Sequence, residues 1–183
     1  MSTEYLVTMT THVPAGTTDA EVEQMRTREA ARSRELAAQG HLLRLWRPPL
    51  QPGEWRTLGL FAAPDDTQLE KVLASMPLRV WRTDVVTPLA PHPQDPGRAA
   101  RPGAEFLTRT HEGSPAVELG GPGQLLRLWQ LPEPGHTLGL WQAHDLAEMQ
   151  QIVASLPPGP WQASQLTPLT PHPSDPAGAG GQP

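Results

Sequence analysis

Glu29 is the side chain whose setting most directly implies chemistry. Thr18-Asp19-Ala20-Glu21 has the spacing of a capping box, and the following residues to Gln39 are rich in Ala, Glu, Gln and Arg before Gly40 supplies a stop. A helix is therefore predicted there. On it, Val22, Met25, Glu29 and Leu36 follow one another at steps of three, four and seven, so Glu29 shares the apolar stripe. A carboxylate on a buried stripe resists ionisation, which raises its pKa above the usual value of about 4.3. One carboxyl group so tuned can take a proton from carbon and return it elsewhere. The bland alternative is an ion pair with Arg32 or with an arginine of the sheet.

Such chemistry also needs a cation or donor for the negative charge that develops. Arg44 and Arg47 are three apart on one predicted strand and so point to opposite faces; only one can serve. Arg44 recurs later in the chain as Arg127, whereas Arg47 is replaced by Gln130, which favours Arg47 as the clamp and Arg44 as structural. Trp46, which recurs as Trp129, reads as core yet stands between the two arginines; Trp55 offers bulk and one donor; His12 ends the first strand near the helix start. These five residues are the candidate substrate-binding set. Glu54 is a second carboxylate, but a turn residue of this kind is ordinarily solvated. The seven histidines show neither an i, i+4 pair nor H-E-x-x-H spacing, so no metal is expected.

The 183 residues carry a net charge of -5, with no Lys/Arg block and no Cys. That speaks against nucleic-acid binding, disulfides, thiol catalysis and Cys-based zinc. No stretch approaches about 18 apolar residues, and the first residues hold Glu4 without a basic region. A cytoplasmic location and no membrane partner are expected.

An internal repeat organises the chain. Leu42-Leu43-Arg44-Leu45-Trp46 returns as Leu125-Leu126-Arg127-Leu128-Trp129, and Thr57-Leu58-Gly59-Leu60-Phe61 as Thr137-Leu138-Gly139-Leu140-Trp141. Val72–Pro77 matches Ile152–Pro157, and Thr87–Pro93 matches Thr167–Pro173. In the first copy, strands are predicted at Tyr5–Thr11, Leu42–Arg47, Trp55–Phe61 and Trp81–Leu89, with a second helix at Thr67–Met76. The order β-α-β-β-α-β is the ferredoxin-like arrangement, an α+β fold in which two fused units pair as an intramolecular dimeric α/β barrel. The second copy is 18 residues shorter between its first two blocks, where Gly113–Gly123 cannot hold the equivalent of helix one. The expected division is residues 1–96, a linker over 97–103, a degenerate unit over 104–173 and a disordered tail over 174–183.

From Glu4 to Pro93 the first copy resembles the muconolactone delta-isomerase family. The resemblance rests on Arg28-Glu29, Gln39-Gly40, Leu45-Trp46-Arg47, Phe61, Met76-Pro77-Leu78, Asp84-Val85 and the closing His92-Pro93. The second copy shares only the later blocks. The resemblance implies a cofactor-free isomerase of aromatic catabolism that moves the double bond of an unsaturated lactone, with Glu29 as the proton-transferring glutamate. It implies a small-molecule substrate and an assembly of several chains, here built from intramolecular pseudo-dimers. Family members often carry tyrosine where this chain has Trp55, which leaves the substrate open. An isomerase or cyclase of secondary metabolism on the same fold, and a non-catalytic binding or scaffold protein, are the alternatives.

Overall fold

The computed structural model describes residues 2–99, 102–110, 124–155 and 165–178. The first repeat gives β1 (Thr3–Thr11), α1 (Asp19–Ala38), β2 (Leu42–Arg47), β3 (Arg56–Ala63), α2 (Asp66–Ala74), a 3-10 turn (Pro77–Trp81) and β4 (Arg82–Pro91). The second gives β5 (Ala104–Thr110), β6 (Leu125–Gln130), β7 (Thr137–Ala143), α3 (Leu146–Ser155) and β8 (Gln165–Pro171). The first repeat thus has the expected element order, with bounds displaced by at most about two residues. The stretch Gly113–Gly123, expected to lack a helix, lies outside the described residues. Among the described residues no helix is long and apolar enough to cross a membrane.

Local chemistry fixes the ends of α1. Thr18 and Glu21 form the capping box: the Glu21 carboxylate accepts from the Thr18 N–H at 2.8 Å, and the Thr18 hydroxyl accepts from the Glu21 N–H at 3.3 Å. At the other end Gly40, at φ 77°, allows the His41 N–H to reach Leu36 O at 2.8 Å and its own N–H to reach Ala37 O at 3.0 Å. These two bonds satisfy the last carbonyls, and the left-handed turn they need favours glycine.

In the first unit β3 lies between β1 and β2, antiparallel to both, with Tyr5 opposite Phe61 and Val7 opposite Gly59. The pairing of β2 steps from Leu42↔Phe61 to Arg44↔Leu60, so Leu43 is an extra residue. This bulge lets Leu42 and Leu45, three apart, enter the same core with Tyr5, Val7, Phe61 and Leu73. It also puts Arg44 and Trp46 on the opposite face and Arg47 on the face of Leu45. β6 repeats the bulge between Leu125 and Arg127. Glycine at position 59 is required by close packing, since a Cβ there would collide with the Phe61 ring; at Gly139 it would meet Trp141 Nε1 at 2.6 Å. The repeated Thr-Leu-Gly-Leu-aromatic block is therefore a packing motif.

The chain forms two compact units that do not end where the repeats end. One comprises Met1–Pro88 with Pro171–Pro183, the other Leu89–Thr170. These bounds differ from the repeat division at residues 96, 103 and 173, because each unit is completed by the tail of the other repeat. In the first unit the Asp175 carboxylate accepts from the Leu45 N–H at 3.0 Å and from Arg44 Nε and Nη2 at 3.2 and 3.0 Å. In the second unit Asp95 accepts from the Leu128 N–H at 2.9 Å and Arg127 Nε at 3.0 Å. Ser174–Gly178 is accordingly an ordered segment ending in a 3-10 turn, Pro176–Gly178, and not the start of a disordered tail. The sequence expectation failed because a Pro/Gly-rich composition conceals one aspartate that replaces water at a strand's free N–H.

Within the second unit β5 pairs with β7 and β8, β6 pairs with β7, and the end of β4 pairs with β6 through Ala90 and Pro91. Phe106, Leu128, Trp141, Met149 and Ile152 form its core. The two aspartate clasps differ in burial: Asp175 and Arg44 are 1% and 13% exposed, Asp95 and Arg127 14% and 25%. Removing one partner of a buried pair strands the other charge and the strand N–H. Asp175→Ala is expected to lower stability in urea by about 2–4 kcal/mol and Asp95→Ala by about 1–2 kcal/mol. Equal losses would contradict the ranking by burial.

Candidate active site

A cavity of about 910 Å³ opens in the first unit between α1 and the sheet face that carries Met9, Leu45 and Thr57. It exists because the inner face of α1 is polar where it crosses this part of the sheet. Leu36 packs into the core, whereas Glu29, Ala30 and Ser33 line the cavity instead of filling it. The stripe read from the sequence is thus only partly apolar packing: Val22 and Met25 are half-buried and Ser33 is fully buried.

Glu29 stands on the cavity wall with its side chain 13% exposed. Its Oε2 accepts from the Leu78 N–H at 2.8 Å and its Oε1 from Arg82 Nη1 at 3.1 Å. The Leu78 N–H is a free donor at the start of the 3-10 turn, since Pro77 has no N–H and Met76 supplies no side-chain cap. Glu29 therefore caps that turn from another element. Burial pushes its carboxyl above the ordinary glutamate range, against the pull of the Leu78 N–H and the Arg82 charge; the Asp84 charge adds to the rise.

Arg82 is buried, and its charge is divided. Its Nε and Nη2 donate to both Asp84 oxygens at 2.6 and 3.0 Å, leaving Nη1 for Glu29. Arg79 adds a longer contact to Asp84 at 3.6 Å. The Glu29–Arg82–Asp84 chain holds the carboxylate in place without fully stabilising its charge.

Arg47 also lies on the cavity wall, is exposed, and has no carboxylate partner among the described residues. At the mouth the Arg26 guanidinium sits 4.7 Å from the Trp55 ring centroid, and both residues line the cavity. Glu54 accepts from the Gln51 N–H at 3.0 Å and pairs with Arg56 at 3.3 Å, which closes its own turn. His172, from the exchanged tail, completes the wall; burial and the nearby Arg47 charge push its imidazole down to about 4.

The structure brings together Glu29, Arg47 and Trp55 from the sequence-derived set. Arg44, Trp46 and His12 are not on the cavity wall. The bulge turns Arg44 and Trp46 to the other face, where the Arg44 guanidinium stacks 4.8 Å from the Trp46 ring and pairs with Asp175. His12 is exposed, and its backbone N–H donates to Trp81 O at 2.7 Å. Among the described residues no three His, Asp or Glu are grouped as a metal site.

Sequence reasoning missed Arg82 and His172. A signal for Arg82 was available: in the second repeat, 80 residues on, Arg82 and Asp84 become Gln162 and Ser164, just as Arg47 becomes Gln130. Two charges of the cavity wall, Arg47 and Arg82, and the Asp84 that pairs with Arg82 are all absent from the second repeat, while the structural pair Arg44–Asp175 recurs as Arg127–Asp95. His172 gave no such signal, because its partner His92 is also retained.

The wall therefore offers one carboxyl group whose pKa burial raises and, lining the same cavity, cationic and hydrogen-bonding groups. That combination can move a proton on a bound acid and hold the charge that results. Two chlorite dismutase structures from Candidatus Nitrospira defluvii are similar in fold. A mutant in complex with cyanide matches at TM-score 0.60 and 10% identity over 93% of this chain and 91% of that one. A complex with imidazole matches at TM-score 0.56 and 10% identity over 92% and 91%. At that identity the likeness is of fold alone: the α+β arrangement of tandem ferredoxin-like units known as the dimeric α/β barrel. In sequence, the Muconolactone Delta-isomerase of Cupriavidus pinatubonensis (strain JMP 134 / LMG 1197) is 30% identical over 89 residues, 49% of this chain and 94% of that protein. The family model for muconolactone delta-isomerase matches residues 3–95 and again 101–175, and the chain thus belongs to the muconolactone delta-isomerase family.

Proposed function

We propose that the first unit is a cofactor-independent isomerase that shifts the double bond of an unsaturated, carboxylate-bearing lactone such as muconolactone. The observation that carries this reading is the position of Glu29: a largely buried carboxylate with a raised pKa, held on the wall of a cavity by the Leu78 N–H and Arg82. Glu29 takes the proton from the ring carbon that bears the side arm. The freed electron pair spreads through the ring double bond onto the lactone carbonyl oxygen as a dienolate. The same carboxyl group then delivers the proton to the carbon next to the carbonyl, so no atom is gained or lost. Arg47, which no carboxylate neutralises among the described residues, receives the anionic part of the ligand. Arg82 tunes Glu29 and is itself engaged on every nitrogen: Nε and Nη2 donate to Asp84, and Nη1 and Nη2 each lie 3.8 Å from Met76 Sδ.

The cavity, about 910 Å³, lies towards the upper end of the range of roughly 300–1,000 Å³ seen for small-molecule sites. That size favours, as a second reading, a lactone with a bulkier arm than muconolactone, turned over by the same proton transfer. A substrate series of increasing arm length separates the two by the maximum in kcat/KM.

Glu29→Gln is expected to cut kcat by about 10²–10⁴ with little change in thermal stability. It is also expected to stop the transfer of solvent deuterium into residual substrate. Retention of kcat within about threefold would sink the proton-transfer role.

The pH dependence has a defined sign. Activity needs Glu29 ionised, so it rises with pH through a limb lying above the ordinary glutamate value of 4.5. Because the folded value is raised, the folded chain holds more protons than the unfolded one in that window, and stability falls as pH rises through it. Asp84→Asn removes a charge that raises the Glu29 pKa and frees Arg82 for Glu29. The activity limb of that variant is expected at lower pH than in the parent, as read from kcat/KM profiles. A limb that stays in place would show that Asp84 does not act on Glu29.

A further inference from the structure

The second repeat has no counterpart of Arg47, Arg82 or Asp84, yet its last segment enters the first unit. That segment is held at both ends of a short turn. The His172 N–H donates to Leu45 O at 2.9 Å, the Asp175 N–H donates to His172 O at 2.8 Å, and the buried Asp175 carboxylate returns to the Leu45 N–H at 3.0 Å. Within this frame the imidazole is fixed: its Nδ1 accepts from the Ser174 N–H at 3.1 Å. A nitrogen that accepts from a backbone N–H carries a lone pair, so the ring proton belongs on Nε2. Nε2 has no protein partner among the described residues, and the ring lies on the same cavity wall as Arg47.

We propose that His172 is a substrate-binding residue of the first-unit site, its Nε2–H donating to the carboxylate of the ligand beside Arg47, and that supplying this donor is what the second repeat contributes to the site. The inference rests on the isomerase reading above for the identity of the ligand. A neutral donor suits this place. An imidazolium would lose the Ser174 bond and be repelled by Arg47, in line with a pKa pushed down to about 4. Arg47 supplies charge, and His172 supplies direction from a rigidly seated ring.

The test uses the full chain carrying Glu29→Gln, so that ligand binds without turnover, and muconolactone and its methyl ester as probes, followed by Trp fluorescence or calorimetry. Adding His172→Leu is expected to weaken muconolactone binding about tenfold, from loss of one hydrogen bond to a charged group, and to leave ester binding within about twofold. His172→Gln, which keeps an N–H donor, is expected to recover part of the loss. In the otherwise unaltered enzyme His172→Leu should raise KM for muconolactone with kcat within about threefold. Equal weakening of acid and ester, or a fall in kcat without a change in KM, would make His172 a structural residue and overturn the proposal. If the Glu29→Gln chain binds neither probe, the isomerase reading fails, and the assignment of His172 to this ligand goes with it. If muconolactone binds and His172→Leu changes nothing, the His172 proposal alone fails.

Discussion

A carboxylate kept mostly out of water must find donors to replace its lost hydration, but donors that replace it fully would also abolish its basicity. Glu29 sits between these limits. It has one backbone N–H from Leu78 and one guanidinium contact from Arg82, and Arg82 commits its other two bonds to Asp84. Much else in the first unit follows from this arrangement. The 3-10 turn at Pro77–Trp81 presents the Leu78 N–H, and β4 begins at Arg82 so that Arg82 and Asp84, two apart, share a face. The polar inner face of α1 prevents the helix from packing flush, and the space left is the cavity.

The duplicated chain acts as its own control. Both repeats keep the bulge, the arginine that follows it, the tryptophan under that arginine and the aspartate that clasps it. Those features hold a strand and a tail together whatever the unit does. Only the first repeat keeps Glu29, Arg47, Arg82 and Asp84. Comparison of the two repeats thus separates residues that both need for packing from those confined to the first unit.

The fold was legible because its signals are local and repeated. Alternation in β1, the capping box of α1, Gly40 at its end and the doubled Leu-Leu-Arg-Leu-Trp block each report on a few neighbouring residues. The site was half legible. Glu29 announced itself by breaking an apolar stripe, and the Arg47/Gln130 difference pointed to the arginine that lines the cavity. Arg82 and His172 were not found, because their importance comes from contacts 53 residues away in one case and from an exchanged tail in the other. The Pro/Gly-rich end read as unstructured since composition measures what a segment can bury by itself. Asp175 is buried by another part of the chain.

Fusion of the two repeats explains how such an asymmetric site can arise. In a symmetric pair of separate chains every substitution appears twice, so a tail that serves a neighbour's cavity must also serve its own chain's copy. Within one chain the constraint is lifted. The tail at residues 171–178 can be fitted to the first unit while the corresponding segment after Thr87 is fitted only to hold β6. The second repeat can then lose its cavity-side charges without harm to the first, provided that its clasp and its terminal turn survive. Arg127–Asp95 and Arg44–Asp175 both remain, although the residues that would distinguish a working site remain in one repeat alone. The two repeats therefore differ in their cavity-side residues and agree in their clasps, and the exchanged tail ties the end of the chain to the first unit.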